Sequence, residues 1–332
     1  MKHSSATAFG TLSQFTDPGF LESAQDILTY VRGCHDKAIP CAICVVTGVS
    51  GGSARSVGAL VAVRADGEMA GYVSHGCVDA DLSIQAQQAI QTGKPCEVIY
   101  GVGSPFMDLR LPCGGTVEIL IDPAPDPELC KAALGRLRHR QAMSLIFDPE
   151  DGLSDTSSHS TMTGWKGQTF VSTYTPALRL IVAGIGAPLA AVVKMASTMD
   201  LPLCVYSPDN DAEAYFDPSD RTSFEHLNSP QDQLDLQLDK WSAVLLLFHD
   251  HDWEPSFLRA ALSSDAFYIG ALGSTRTHER RIEVLGNREF EQSQLMRIKG
   301  PIGIIPAARD AKTLALSVLV EIIDAYRNIP NT

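Results

Sequence analysis

Two thiols sit where packing alone does not ask for them. Cys77 lies in GYVSHGCVDADL (71–82), flanked by His75 and Gly76 on one side and Asp79 on the other. Cys113 lies in LPCGGTVEIL, just ahead of Gly114 and Gly115. A thiolate is a nucleophile and a soft metal ligand. A helix starting near Cys77 would favour the charged form through its positive end. The loop SGGSARSVGA holds Gly51, Gly52, Ser53, Arg55 and Gly58. Its small residues allow a ligand close to the backbone, and the fork of Arg55 suits an anion. The plainer reading makes Cys77 and Cys113 small core residues.

A second group lies further along the chain. Gly184-Ile185-Gly186-Ala187-Pro188-Leu189 follows an apolar run and opens a helical one. That is the context of a dinucleotide fingerprint, in which Gly184 and Gly186 allow a tight turn and backbone amides face a phosphate. The third fingerprint position is Leu189, and the place of the ribose-binding acid holds Ser207, with Asp209 two residues on. A structural turn, or a cradle for another phosphate ligand, therefore stands ahead of NAD(P) binding. In FHDHD, His249 and His251 share a face if the chain stays extended, a metal pair without an evident third ligand. The alternative is a solvated strand exit rich in caps. In GALGSTRTHERR, Gly273 and Ser274 lead into a helix carrying Arg276, His278, Arg280 and Arg281. Amides plus arginine make a phosphate or carboxylate seat, with a surface salt-bridge face as the alternative. GPIGIIPAARD is a lid or a connection. Cys41 and Cys44 form a C-x-x-C, but on a strand they point to opposite faces and read as core.

The elements that must position these residues follow from periodicity. TDPGFLESAQDILTYVRGCHDKA reads as an amphipathic helix opened by Asp17 and Pro18. Strands CAICVVTGV, GALVAVRA and EMAGYVS follow, the last two joined across Ala65-Asp66-Gly67. A helix ending at Gly93 and the strands CEVIYG and TVEILIDP complete a small α+β domain. From Leu178 onward, apolar strands alternate with helices, which predicts a doubly wound parallel sheet. The expected division is a disordered lead (1–16), a first domain (17–123), a surface connector with local structure, the helix DPELCKAALGRLRHR and the strand AMSLIF (124–176), and a Rossmann-like domain (177–332).

The chain has 332 residues, enough for two domains. No apolar run approaches the ~20 residues of a membrane span, and the first residues lack a signal core. A cytoplasmic location is expected, with the eight cysteines mostly free thiols. A net charge of −13 argues against nucleic acid as a partner. No Ser-His-Asp order or metalloprotease motif supports a hydrolase.

From about Ala24 to Arg327 the chain resembles the XdhC/CoxI family, through GYVSHGCVDADL, CGGTVEILIDP and AFYIGALGSTRTHERR. The resemblance implies an N-terminal XdhC/CoxI domain followed by a Rossmann-like domain. It implies an accessory protein that turns over no substrate of its own. Such a protein binds the molybdenum cofactor as molybdopterin, with or without an attached nucleotide. It supports sulfuration by a cysteine desulfurase and inserts the cofactor into a xanthine dehydrogenase-type apo-hydroxylase; a homodimer is a further expectation. Cys77 would be the metal-side or sulfur-handling thiol and Cys113 the second. Ser53, Arg55, Gly76, Gly114, Gly184, Gly186, His249, His251, Gly273, Ser274, Arg276 and His278 would surround the cofactor. The chain departs from the family pattern at His75, Asp79, Ala187, Ser207, Ile305 and Ala307. The rival readings are an NAD(P)-dependent oxidoreductase and a scaffold whose cofactor site has decayed.

Overall fold

The computed structural model describes residues 18–74, 76–101, 114–157, 162–216, 219, 221–232, 234–286 and 290–329, with Cys77 described by its backbone alone. The expected lead lies outside the described residues. Two compact units divide between 176 and 177.

The first unit runs α1 (Ala24–Asp36), β1 (Cys41–Ser50), β2 (Leu60–Arg64), β3 (Met69–Ala70), α2 (Cys77–Thr92), β4 (Cys96–Gly101) and β5 (Thr116–Asp122). It continues through α3 (Pro127–Arg138), β6 (Met143–Asp148), β7 (Gly152–Ser157), β8 (Gly164–Lys166) and β9 (Thr169–Tyr174). Helix α1 starts later than expected. Pro18–Phe20 form a separate 3₁₀ turn, and Ser23 caps α1 by accepting from the Asp26 amide at 3.1 Å.

Strands β1 to β5 make an antiparallel sheet in the order β3-β2-β1-β5-β4. Alternation along β1 sends Cys41, Ile43 and Val45 into one core and Ala42, Cys44 and Val46 into the other. The two thiols of the C-x-x-C therefore lie on opposite faces, as their spacing requires. The Val46 side is closed by Val78, Leu82, Ala86 and Ala89 of α2. The Val45 side is closed by α1 and α3 together with Met143, Leu145, Phe147 and Phe170.

Those last four residues correct one expectation. The stretch 124–176, read as a surface connector holding a helix and the strand AMSLIF, forms α3 and, around that strand as β6, a four-stranded antiparallel sheet, β7-β6-β9-β8, and shares the first unit's core. Strands β7 and β8 are short and carry polar residues, such as Ser154 and Asp155, so sequence periodicity alone does not reveal them.

The second unit runs β10 (Arg179–Gly184), α4 (Gly186–Thr198), β11 (Leu203–Ser207), β12 (Thr222–His226), β13 (Ser242–Leu247), α5 (Glu254–Leu262), β14 (Tyr268–Ala271), α6 (Thr275–Gly286), α7 (Gln292–Leu295), β15 (Ile298–Lys299) and α8 (Ala311–Arg327). All its strand pairs are parallel, in the order β12-β11-β10-β13-β14-β15. Counted within the unit, this is the 3-2-1-4-5-6 order of a Rossmann sheet. Leu180 and Val182 face a core with α4 and α8, while Ile181 and Ala183 face one with α5. Burial on both faces explains why β10 and β13 read as unbroken apolar runs.

Candidate functional site

The chain leaves strand geometry early after β3. EMAGYVS was expected to be extended through Ser74, yet β3 ends at Ala70. Gly71 turns the chain at φ +82°, and the Asp79 carboxylate then accepts from the amides of Val73 (2.6 Å) and Ser74 (3.0 Å). A carboxylate in the first turn of α2 thus gathers the preceding loop and also complements the helix dipole. Gly76 caps α2 at φ +128°, a conformation that side-chain-bearing residues rarely adopt, with no described atom within 4 Å of where a Cβ would stand. Cys77 follows as the first helical residue. Its side chain, His75 and Cys113 lie outside the described residues.

Three glycine-bearing turns meet at this end of the sheet. Ser50 pairs with Thr116, which pairs with Gly101. A Cβ on Gly51 would stand 3.0 Å from the Gly115 Cα, and one on Gly101 would overlap the Gly115 carbonyl. The backbones there touch directly, which only glycine allows. Asp81 of α2 accepts from the Tyr100 hydroxyl at 2.9 Å, bringing the start of that helix to the same end. Gly114 stands beside this contact at φ +68° with open space around it.

Arg55 braces the rim from the 51–58 loop. Ser53 Oγ accepts from the Arg55 amide (3.3 Å) and donates to the Arg55 carbonyl (2.9 Å), tightening the turn. The Arg55 guanidinium donates to the Glu22 carbonyl (2.8 Å), stands 3.8 Å from the Glu22 carboxylate and lies 4.9 Å above the Tyr72 ring. The Tyr72 hydroxyl donates to the same carboxylate. Next to Arg55 opens a polar cavity of about 390 Å³, walled on its far side by Thr163, Ser172, Thr173 and Tyr174. Ser172 and Tyr174 both donate to the Gly58 carbonyl, at 3.3 and 2.8 Å. Sequence reasoning missed Glu22, Tyr72 and this far wall, since each lies well away from Arg55 in the chain. The aromatic and hydroxyl residues of TFVSTY were the one available signal.

In the second unit the predicted residues separate. Gly184 is required by packing, because a Cβ there would meet Leu247 Cβ at 2.7 Å. Gly186 opens α4 at φ +67° with free space about it. Ser207 is fully buried and its hydroxyl accepts from the Asp209 amide at 3.1 Å. The Asp209 carboxylate is taken by the Asp211 amide and the Tyr215 hydroxyl, and the amide bond holds it below the usual carboxylate range. The acid nearest the ribose position is thus engaged within its own loop.

His249 and His251 do not form the extended pair. Strand β13 ends at Leu247, and Asp250 caps a 3₁₀ turn over His251–Trp253. Among the described residues no group of three or more His, Cys, Asp or Glu could hold a metal. Both histidines instead border a cavity of about 520 Å³ with Arg280 and Arg281. Arg281 is spoken for by Glu254, through Nε at 2.7 Å and Nη2 at 2.9 Å, with Glu254 2 % exposed. His251 Nδ1 shares that carboxylate at 2.9 Å. Glu254 is the partner that sequence reading missed, 27 residues from its arginine.

Ser274 caps α6 by accepting from the Thr277 amide at 3.2 Å, and Gly273 makes room for Thr277 at φ +143°. Arg276 is exposed and borders neither cavity. His278 packs against Gly300, and burial, helped by Arg281, lowers its pKa. The expected four-residue basic seat on α6 is therefore divided: Arg280 and Arg281 reach a cavity, and Arg276 and His278 do not.

These features define a class: a two-unit α/β protein that joins a Rossmann sheet to an antiparallel unit with a glycine-lined rim. The XdhC and CoxI family matches residues 34–101, and the XdhC Rossmann domain matches residues 180–322. The molybdenum cofactor insertion chaperone PaoD of Escherichia coli (strain K12) is 34% identical over 274 residues, covering 82% of this chain and 80% of its own. A Bacillus halodurans structure described as a xanthine dehydrogenase superposes with a TM-score of 0.73 at 22% identity, covering 92% of this chain and 96% of that one. The chain belongs to the XdhC and CoxI family. No described helix is long and apolar enough to cross a membrane.

Proposed function

We propose that this protein carries the molybdenum cofactor as cargo in the cytoplasm, supports its sulfuration by a cysteine desulfurase, and inserts it into a xanthine dehydrogenase-type molybdenum hydroxylase. The observation that carries the reading is the similarity, across four-fifths of the chain, to a protein named as a molybdenum cofactor insertion chaperone. The rim of the first unit suits such cargo. Gly76 and Gly114 hold positive φ, and no described atom stands where their Cβ would be, so a flat pterin can approach the backbone there. Arg55 supplies positive charge next to a polar cavity. Cys77, at the start of α2, offers soft sulfur to the metal side or to the sulfur donor. The Rossmann unit serves this reading without a nicotinamide, because Ser207 and Asp209 are bound within their own turn.

The test is to co-express the chain with the cofactor-synthesis enzymes in cells lacking the client hydroxylase, purify it, and quantify oxidised pterin released on denaturation. Pterin is expected with the wild-type chain and is expected to fall at least tenfold in Cys77→Ala. No pterin on the wild-type chain overturns the carrier reading. Wild-type loading and client activation by Cys77→Ala removes the thiol from it.

A further inference from the structure

We infer that the cavity beside Arg55 is a seat for a phosphate monoester, and that Glu22 is a built-in placeholder whose carboxylate occupies Arg55 until the phosphate displaces it. This deepens the carrier reading and rests on it, the phosphate being that of the cargo.

The charge pattern is the first ground. Of the described residues that border the cavity, Arg55 is the one base and Glu22 the one acid; the far wall is hydroxyls. The Arg55 side chain is 9 % exposed, whereas that of Glu22 is 64 % exposed. A guanidinium withdrawn from water needs close oxygen partners. Its separation from the Glu22 carboxylate, 3.8 Å, is beyond hydrogen-bond length. The carboxylate therefore holds its place by charge and by its bond from Tyr72, and an ion pair whose acid is solvated and stands beyond hydrogen-bond length is weak. A phosphate offers more oxygens in the fork geometry that arginine prefers. Glu22 lies between the 3₁₀ turn and α1, so its side chain can swing to solvent without disturbing a regular element.

The cavity wall is the second ground. Gly58 carries two hydroxyl donors on its carbonyl, and a Cβ there would stand 2.6 Å from Ser172 Oγ. The wall is thus held in shape by contacts that no side chain at position 58 would permit. Burial pushes the Tyr174 phenol up, so it remains a donor at any working pH.

Displacement also has a route to the start of α2. Tyr72 loses its carboxylate partner when Glu22 leaves, and Tyr72 is followed directly by Val73 and Ser74, whose amides are held by Asp79 at the start of α2. Occupation of the seat therefore acts on the loop that leads into α2.

The test titrates inorganic phosphate into the purified full chain by calorimetry at constant ionic strength, with sulfate as the competing oxyanion. Pterin loading is measured on the same variants. Glu22→Gln is expected to bind phosphate about two- to fivefold more tightly than wild type, the range that removal of one exposed competing charge supplies. Arg55→Gln is expected to bind at least tenfold more weakly, and Arg55→Lys to fall between, with unchanged circular dichroism showing that these variants fold. Failure of both wild type and Glu22→Gln to bind phosphate overturns the seat, as does equal affinity of wild type and Glu22→Gln. If Arg55→Gln loses phosphate binding yet loads pterin like wild type, the seat is not the cargo's anchor and the inference falls while the carrier reading stands. If phosphate binds as expected but wild type carries no pterin, the anion seat stands and the carrier reading falls.

Discussion

Replacing Arg281 by methionine is expected to cost the Rossmann unit about 3–5 kcal/mol, the range for removing one partner of a buried ion pair. Glu254 and Arg281 are 2 % and 7 % exposed, joined by bonds of 2.7 and 2.9 Å, and Arg281 also donates to the Leu272 carbonyl at 2.8 Å. In Arg281→Met the carboxylate keeps only His251, and the Leu272 carbonyl loses its donor. The assay is urea unfolding followed by tryptophan fluorescence in a Trp165→Phe background. The remaining tryptophans, Trp241 and Trp253, both lie in the second unit, and Trp253 stacks on Phe248 at 6.1 Å. With a slope of about 2 kcal/mol per molar urea, the midpoint falls by about 1.5–2.5 M. The double variant Arg281→Met/Glu254→Leu removes both charges and is expected within about 1 kcal/mol of the background, because an apolar pair of similar volume replaces a buried ionic one at little cost. A single variant within about 1 kcal/mol of the background, or a double variant less stable than the single, would show that this pair is not desolvated as described.

Gly184→Ala brings a methyl group to 2.7 Å from Leu247 Cβ across the β10–β13 pair, and is expected to lower stability by about 1–3 kcal/mol in the same assay. Gly76→Ala meets no atom, yet imposes φ +128° on an L-residue; it should cost about 1–3 kcal/mol in thermal unfolding of the full chain, and a neutral result would mean that α2 is capped differently. His278 has a folded-state pKa lowered by burial and by Arg281, so the unfolded chain holds more protons as pH falls through and below about 6.5. Stability contributed by neutral His278 is full above that pH and is lost on acidification. His278→Asn should therefore flatten the decline in melting temperature on the acid side, and a decline as steep as wild type would refute the assignment.

Much of the fold was legible because burial writes itself into the sequence. The unbroken apolar runs of β10 and β13 marked a sheet covered on both faces, and alternation through CAICVVTGV assigned Cys41 and Cys44 to separate cores. Strand β12, TSFEH, escaped because it lies at the sheet edge and is nowhere fully buried. Of the strands in 124–176, AMSLIF was legible as β6, whereas β7 and β8 escaped because they are short and largely polar. The glycines of the two units were visible as types, but their reasons were not: Gly184 packs against a strand, whereas Gly76 supplies a backbone angle. The partners of the charged residues were the least legible part. Glu22 meets Arg55 from 33 residues away, and Glu254 meets Arg281 from 27. Nothing in local spacing joins such pairs; only the packed fold does.

The strand order of the first unit also governs when the rim can exist. Strand β5 lies between β1 and β4, although about seventy residues separate it from β1, and the cavity beside Arg55 has β9 as its far wall. Pairings this distant in sequence form late, since a long loop must close first. A first unit that ends before Tyr174 therefore lacks the far wall, and the cavity exists only in the finished unit.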